Sequence, residues 1–172
     1  AMATVEQTIA DYSERGIDAP FIGNHDTDRA AGILRYDPAR IKEAAGLLLT
    51  MSGSPFVYYG DEIGLSGSGR DENKRAPMIW DDNGSGLTYG PPDMERQENR
   101  FESVEKQLSD PDSILNYYKR ALRIRNENPE IARGTTELLE LSGNSGGDIA
   151  AVRRTWNGSS ILIGYNLHIK LF

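Results

Sequence analysis

A short apolar run, Phe21 to Gly23, is followed directly by an asparagine, a histidine and an aspartate, Asn24-His25-Asp26. An ionised carboxylate accepts hydrogen bonds from hydroxyl groups and an imidazole can add a donor, so this combination suits a hydroxyl-rich ligand. Asparagine and aspartate after a strand also form turns and helix caps, and that structural interpretation is the alternative. The residues that surround this segment in the folded chain distinguish a ligand-binding role from a structural one.

A second polar segment could contribute to the same chemistry. Asp71-Glu72-Asn73-Lys74-Arg75 is followed by Ala76-Pro77-Met78-Ile79-Trp80. A carboxylate and a guanidinium four residues apart could bind the hydroxyls of a sugar, while the indole packs against its apolar face. A solvated charge run is the alternative for this segment.

Two strands and two helices are expected to position these residues. Short apolar runs predict strands at Ala19 to Gly23 and at Pro55 to Tyr59, with both tyrosines of the second strand in the core. Asp37-Pro38 predicts a helix start. The apolar residues that follow have the spacing of one buried helix face: Ile41, Ala44, Ala45, Leu48 and Leu49. Asp110-Pro111 repeats the start signal for a helix that Pro129 ends.

The other segments complete the outline. Residues from Val5 to Arg15 predict a weak helix, and the polar stretch from Gly60 to Ser109 predicts an ordered excursion, since loops of this length are usually functional. Short apolar runs separated by glycine, asparagine and serine predict antiparallel β structure at the C-terminal end: Leu138 to Leu141, Ile149 to Arg154 and Ile161 to Tyr165.

The order strand, helix, strand, helix indicates parallel strands joined by crossover helices. In such folds the loops after the strands emerge on one face, where ligands bind. The segment after Phe21 and the excursion after Tyr59 should therefore share a face, which brings Asp26 close to Asp71 and Arg75.

Composition excludes several classes of function. The chain has 172 residues, with 26 acidic and 19 basic side chains and a net charge of -7, so nucleic acid and anionic membranes are poor partners. It has no cysteine, which excludes disulfides, thiolate metal sites and a cysteine nucleophile. We expect no signal peptide in the first residues, and no apolar run reaches the roughly 18 residues of a membrane span.

Three segments together resemble the α-amylase family of glycoside hydrolases. They are Asn24-His25-Asp26 after an apolar strand, the run Gly53-Ser54-Pro55-Phe56-Val57-Tyr58-Tyr59-Gly60-Asp61-Glu62-Ile63-Gly64, and Asp71 to Arg75 with Pro77 to Trp80. They match the seventh and eighth strand regions of that family in the right order. The resemblance implies an α/β fold: a partial TIM (β/α)8 barrel of about the last two βα units, followed by an antiparallel β segment.

The resemblance also implies roles for individual residues. Asp26 matches the third catalytic carboxylate, which holds sugar hydroxyls in the transition state, and His25 matches the neighbouring hydrogen-bond donor. Asn24, Asp71, Arg75 and Trp80 are the substrate-binding candidates. Arg29 is expected near the site, paired with its carboxylates. The implied partner is an α-glucan or maltooligosaccharide, cleaved with retention at α-1,4 bonds.

The chain departs from the family in what it lacks. A retaining glycosidase needs a nucleophile and an acid/base carboxylate about 5 to 5.5 Å apart. The family's nucleophile motif, Gly-x-Arg-x-Asp, does not occur here. Two βα units also cannot close a barrel of about 250 residues. We therefore expect a fragment that is inactive alone and that self-associates through uncovered strand edges.

The remaining expectations concern boundaries, cofactors and alternatives. Residues 1–133 should form the barrel portion, with a long loop at 60–109, and residues 134–172 the start of a C-terminal antiparallel β domain. No cofactor is expected in this segment, although the parent enzyme could use calcium, and for a bacterial parent an extracellular or cell-surface location is favoured. A non-catalytic glycan-binding module is the main alternative, and a metal-dependent phosphohydrolase built on His25 and Asp26 is the weaker one, because such sites need further histidines.

Overall fold

The computed structural model describes residue 11 and residues 16–139 and 149–166. The predicted helix at Val5 to Arg15 therefore lies outside the described residues, apart from Asp11. The chain divides into two compact bodies. One comprises residues 21–49 and 56–123, and the other comprises residues 1–20, 50–55 and 124–172. The predicted domain division after residue 133 remains a prediction.

The elements are mostly helical up to residue 133 and β beyond it. In chain order they are α1 (Ala30–Ile33), α2 (Pro38–Thr50), two 3-10 turns (Asp61–Ile63 and Asp71–Arg75), α3 (Val104–Ser109), α4 (Ile114–Glu127), α5 (Pro129–Arg133), β1 (Thr135–Leu138), β2 (Ile149–Trp156) and β3 (Ser159–Asn166). The predicted excursion from Gly60 to Ser109 is thus ordered and contains both 3-10 turns and α3.

Helix α2 forms as the sequence predicts. The Asp37 side chain accepts hydrogen bonds from the backbone N–H groups of Ala39, at 2.9 Å, and Arg40, which satisfies donors that every helix start leaves unpaired. Four of the five predicted stripe residues are buried, and only Ala44 is half-buried. The stripe packs in a core with α4: Ala31, Ile41, Ala45, Leu49, Ile114 and Tyr118.

Helix α4 begins later than predicted. The Asp110 carboxylate accepts a hydrogen bond from the backbone N–H of Asp112 and so forms a turn, whereas Ser113 Oγ accepts the N–H of Asn116 at 3.1 Å and caps the helix. Pro129 follows the helix end, as predicted, but it also opens α5 as its first residue, because proline needs no N–H partner there.

The two predicted strands are wrong in extent. Only one parallel bridge, between Phe21 and Phe56, forms at these positions. A proline precedes each bridged residue and has no N–H for a ladder. Gly60, with φ 87°, turns the second segment away. The parallel direction agrees with the prediction, but Tyr59 is exposed and Tyr58 only half-buried, so the expectation that both are core residues is also wrong.

The β strands form an antiparallel sheet in the order β1-β2-β3. Val152 lies opposite Leu138 on one side and Ile163 on the other. Asn157 and Gly158, both with positive φ, form the β2–β3 hairpin turn, which is the favoured chemistry for a two-residue loop. The predicted run at Leu138 to Leu141 begins earlier, at Thr135, and its last two residues lie outside the described ones.

Candidate functional site

The turn at residues 24–27 presents a carboxylate to solvent. Oδ1 of Asn24 accepts hydrogen bonds from the backbone N–H groups of Asp26, at 2.8 Å, and Thr27, at 2.9 Å. This arrangement is an Asx turn, in which a side chain replaces a backbone partner. Asn24 thus shapes the turn. The side chains of His25 and Asp26 remain 60% and 65% exposed, with His25 Nε2 at 3.3 Å from Asp26 Oδ2.

The 3-10 turn Asp71–Arg75 brings the second polar segment to this carboxylate. Nη2 of Arg75 lies 3.7 Å from Asp26 Oδ1, and Nη1 lies 3.9 Å from Asp71 Oδ2. One guanidinium therefore lies between two exposed carboxylates that are 45 positions apart in the sequence. We call Asp26, Asp71, Lys74 and Arg75 the Asp26 cluster.

Lys74 is the buried member of the Asp26 cluster, and sequence reasoning did not identify it. Its side chain is only 8% exposed. Nζ donates to the backbone carbonyl of Asp26 at 2.9 Å and to Asp71 Oδ1 at 3.2 Å. The ammonium therefore joins the main chain of one polar segment to the side chain of the other.

Arg29 lies beneath the cluster and is fully buried. Its Nε donates to the carbonyl of Lys74 at 3.0 Å, and its Nη1 donates to the carbonyl of Tyr59. The guanidinium carbon also lies 4.1 Å and 4.7 Å from the ring centroids of Tyr58 and Tyr59, which is cation–π geometry. Arg29 therefore fixes the backbone that carries the Asp26 cluster.

The carboxylate partner of Arg29 differs from the one expected. Arg29 Nη1 lies 3.5 Å from Oδ1 of Asp61, a buried residue that sequence reasoning did not single out as a site residue, rather than pairing with Asp26 or Asp71. Gly23 leaves room for this aspartate, since a methyl group there would lie 3.0 Å from Asp61 Oδ2. The position of Asp61 after Tyr58-Tyr59-Gly60 was visible in the sequence, but its burial depends on tertiary packing.

Burial dominates the electrostatics of Asp61. Among the described residues, Oδ2 of Asp61 has no hydrogen-bond partner, and neither has Nη2 of Arg29. Loss of hydration disfavours the charged form and raises the pKa of the Asp61 carboxyl to about 6, against the opposing effect of the Arg29 guanidinium. The attraction of Arg29 therefore compensates only part of the cost of burying the Asp61 charge.

Trp80 is a separate feature of the same body. The indole is half exposed. The Trp80 carbonyl accepts the backbone N–H of Glu105 at 3.0 Å, and Gly86 packs close to the ring, where a methyl group would lie 3.3 Å from the indole Cδ1. The contacts that position Trp80 thus come from the loop and from α3, and they do not join it to the Asp26 cluster.

The described residues offer no evident metal centre. Across residues 16–139 and 149–166 no group of three or more His, Asp or Glu side chains is arranged to hold an ion. Calcium in a parent enzyme stays a prediction. Within the same residues no helix has the length and apolarity to span a membrane.

The geometry defines a cluster of carboxylates and basic side chains in which the turn after Phe21 meets the 3-10 turn Asp71–Arg75. Residues 2–134 match the family described as alpha amylase, catalytic domain. The chain belongs to the alpha-amylase family. Its fold is accordingly α/β, a partial (β/α)8 barrel followed by an antiparallel β segment, as the sequence predicted.

Individual relatives agree with this assignment. The chain is 37% identical over 131 residues to Alpha-amylase SusG of Bacteroides thetaiotaomicron. The aligned region covers 75% of this chain and 19% of that protein. It is 31% identical over 153 residues to Alpha-amylase 3 of Dictyoglomus thermophilum, covering 88% of the chain and 30% of the relative. The chain therefore spans about a fifth to a third of the length of these curated relatives.

Solved structures give the same result. Eubacterium rectale Amy13B superposes with a TM-score of 0.87 at 37% identity, covering 96% of this chain and 32% of that one. The alpha-amylase from H. orenii superposes with a TM-score of 0.81 at 37% identity, covering 96% of this chain and 34% of that one. The similarity extends beyond the family match into the C-terminal β segment.

Proposed function

We propose that this chain is the C-terminal part of the catalytic domain of a retaining α-glucan hydrolase that cleaves α-1,4 bonds in starch or maltodextrins. The single observation that carries the proposal is the convergence of Asp26, Asp71 and Arg75, at 3.7 Å and 3.9 Å, on one exposed surface. Exposed carboxylates held by a guanidinium are oriented acceptors for sugar hydroxyls. The family membership and the names of the relatives supply the substrate class.

Each site residue has a proposed role. Asp26 accepts hydrogen bonds from the hydroxyls of the sugar whose bond is cleaved, and it binds them most strongly in the oxocarbenium-like transition state. His25, at 3.3 Å from Asp26, donates to the same sugar. Asp71 and Arg75 bind a neighbouring glucose unit.

The other two candidates differ in what supports them. Trp80 offers a half-exposed indole on which a sugar ring can stack. For Asn24 the contacts support a role in shaping the turn, so its part in substrate binding is indirect, through Asp26.

Asp26→Asn tests the proposal in the full-length protein that carries this segment. The substitution keeps the shape of the side chain but removes its charge. We expect kcat on a maltooligosaccharide to fall by at least about 10²-fold, the usual scale for losing one transition-state interaction. Asp28→Asn is the matched control: Asp28 Oδ1 accepts the N–H of Gly69 at 2.9 Å, and an amide oxygen retains that bond. Equal activities of the two variants would contradict the proposal.

The 172-residue chain alone is proposed to be inactive. It contains no Gly-x-Arg-x-Asp motif to supply the nucleophile, and a retaining mechanism needs both that residue and an acid. Incubation of the pure chain with a chromogenic maltooligosaccharide should release no chromophore above the level given by its Asp26→Asn variant. Release that depends on Asp26 would refute this part of the proposal.

The second candidate is a non-catalytic glycan-binding module on the same scaffold, which would hold a saccharide through the same exposed carboxylates and the half-exposed Trp80. The two are separated by the full reading frame, because a parent enzyme must encode the nucleophile and the acid. A full-length protein that binds maltooligosaccharide but contains neither residue would favour the module.

Self-association and location complete the proposal. Phe21, Phe56, Val57 and Tyr59 are exposed around the single parallel bridge, and such an edge can pair with a second copy. Size-exclusion chromatography of the pure chain should show species larger than a monomer, whereas a soluble monomer would contradict this. A bacterial parent is proposed to act outside the cell or at its surface.

A further inference from the structure

The position of Lys74 is unusual for a lysine. Its side chain is 8% exposed, and lysines are rarely buried unless they are paired. Lys42 is less buried than Lys74, and it donates to the carbonyl of Asp112 near the surface. Burying an ammonium carries a desolvation cost, so the bonds that Lys74 makes must repay it.

The two hydrogen bonds of Lys74 identify the main chain of Asp26 as its principal partner. Lys74 Nζ donates at 2.9 Å to the carbonyl of Asp26 and at 3.2 Å to Asp71, whose side chain is 58% exposed. An ion pair with an exposed carboxylate contributes little. The bond to the Asp26 carbonyl is shorter, and it fixes the peptide unit directly attached to the Cα of Asp26.

Arg29 holds the main chain of Lys74 in turn. The side-chain Nε of Arg29 donates to the Lys74 carbonyl at 3.0 Å, and the backbone N–H of Arg29 donates to the carbonyl of Gly67 at 2.9 Å. A continuous set of hydrogen bonds therefore runs from the buried Arg29 through Lys74 to the main chain of Asp26. On the other side of Asp26, Oδ1 of Asn24 binds its N–H, so both backbone polar groups of this residue are anchored.

We propose that Lys74 is a positioning residue: its buried ammonium fixes the main chain of Asp26 and thereby sets where the Asp26 carboxylate meets the substrate. This inference rests on the proposed function. A carboxylate that stabilises a transition state must be held to a fraction of an ångström, and a displacement of about 1 Å can cost about 10²-fold in rate. Ground-state binding tolerates more displacement, so Lys74 should affect kcat more than KM.

The kinetic test compares Lys74→Met with Lys42→Met in the full-length protein that carries this segment. We expect Lys74→Met to lower kcat on a maltooligosaccharide by about 10- to 100-fold, with KM changed less than about threefold. Lys74→Arg, which keeps a buried cation, should recover part of the loss. Lys42→Met should leave kcat unchanged. A kcat for Lys74→Met within about twofold of the Lys42→Met value would overturn the inference.

Two further measurements separate the possible failures. If Asp26→Asn keeps full activity, the proposed function fails, whereas a large loss in Asp26→Asn with none in Lys74→Met refutes only the positioning role. If Lys74→Met does not fold, NMR of the unmodified chain decides. A through-hydrogen-bond coupling between Lys74 Nζ and the Asp26 carbonyl carbon is expected. A Lys74 ammonium that exchanges with water as fast as Lys42, without this coupling, would refute the inference.

Discussion

Arg29 and Arg40 each form an ion pair with an aspartate at the same N–O distance, 3.5 Å, but in different surroundings. The side chains of Arg29 and Asp61 are 0% and 2% exposed, whereas those of Arg40 and Asp37 are 26% and 44% exposed. Replacing each arginine by methionine keeps an unbranched apolar stem and removes the guanidinium with its charge. The two variants therefore compare the loss of a buried ion pair with the loss of a more exposed one at the same N–O distance.

The expected costs differ by several kcal/mol. Loss of Arg29 leaves the Asp61 carboxylate buried without a counter-charge, which typically costs about 3–5 kcal/mol in the free energy of unfolding. Loss of the cation–π contacts with Tyr58 and Tyr59 acts in the same direction. An exposed pair such as Arg40–Asp37 contributes about 0–1 kcal/mol.

The difference should also depend on pH. Arg29 lowers the pKa of Asp61, so its removal raises that pKa further and lets the carboxyl become neutral at a higher pH. A neutral carboxyl costs less to bury. Destabilisation by Arg29→Met should therefore be smaller at pH 5 than at pH 7.5, while that of Arg40→Met changes little.

Urea unfolding followed by circular dichroism, at both pH values, measures these free energies. Asp61→Asn is a useful companion, because it removes the charge that Arg29→Met leaves uncompensated, and the double variant should be less destabilised than the sum of the two. Equal losses for Arg29→Met and Arg40→Met at pH 7.5 would refute the reasoning, since they would mean that burial of the pair has no energetic consequence.

Three further predictions concern individual residues. The pKa of the Asp61 carboxyl is about 6 in the folded chain against an ordinary 3.8, so the folded state binds more protons between these values. The contribution of Asp61 to stability should therefore fall by about 2 kcal/mol as the pH rises from about 4 to about 6, and Asp61→Asn should abolish that fall in pH-dependent unfolding. Gly67→Ala should destabilise the chain by about 1–3 kcal/mol in urea unfolding, because the new methyl group would lie 2.5 Å from the carbonyl oxygen of Asn73; Gly69→Ala, in open space at φ 78°, should cost only about 1 kcal/mol, and the reverse order would contradict this. Trp80→Ala should weaken maltooligosaccharide binding in calorimetry by about 1 kcal/mol or more, and unaltered affinity would exclude stacking.

Local signals in the sequence predict several features well. Asp37 and the apolar stripe of α2 identify a helix, since capping and periodicity act over a few residues. Short apolar runs separated by glycine, asparagine and serine identify the antiparallel sheet for the same reason. The proximity of Asp26 to Arg75 follows from the rule that loops after parallel strands share a face.

Other features depend on distances between remote residues and were not predictable. Whether Lys74 is buried depends on the turn that carries Asp26, 48 positions earlier. The partner of Arg29 is Asp61 because Gly23 leaves room for it, which a linear pattern does not encode. The start of α4 was misplaced because Asp110 and Ser113 are both good caps, and only the packed structure selects between them.

The most direct test of the proposed role of Asp26 is a crystal structure of the full-length protein with a bound maltooligosaccharide and an inactive nucleophile. We expect the Asp26 carboxylate to accept hydrogen bonds of about 2.5–3.0 Å from hydroxyls of the sugar at the cleavage point, with Asp71 and Arg75 on a neighbouring glucose unit. A saccharide bound elsewhere, with Asp26 still exposed to solvent, would contradict it.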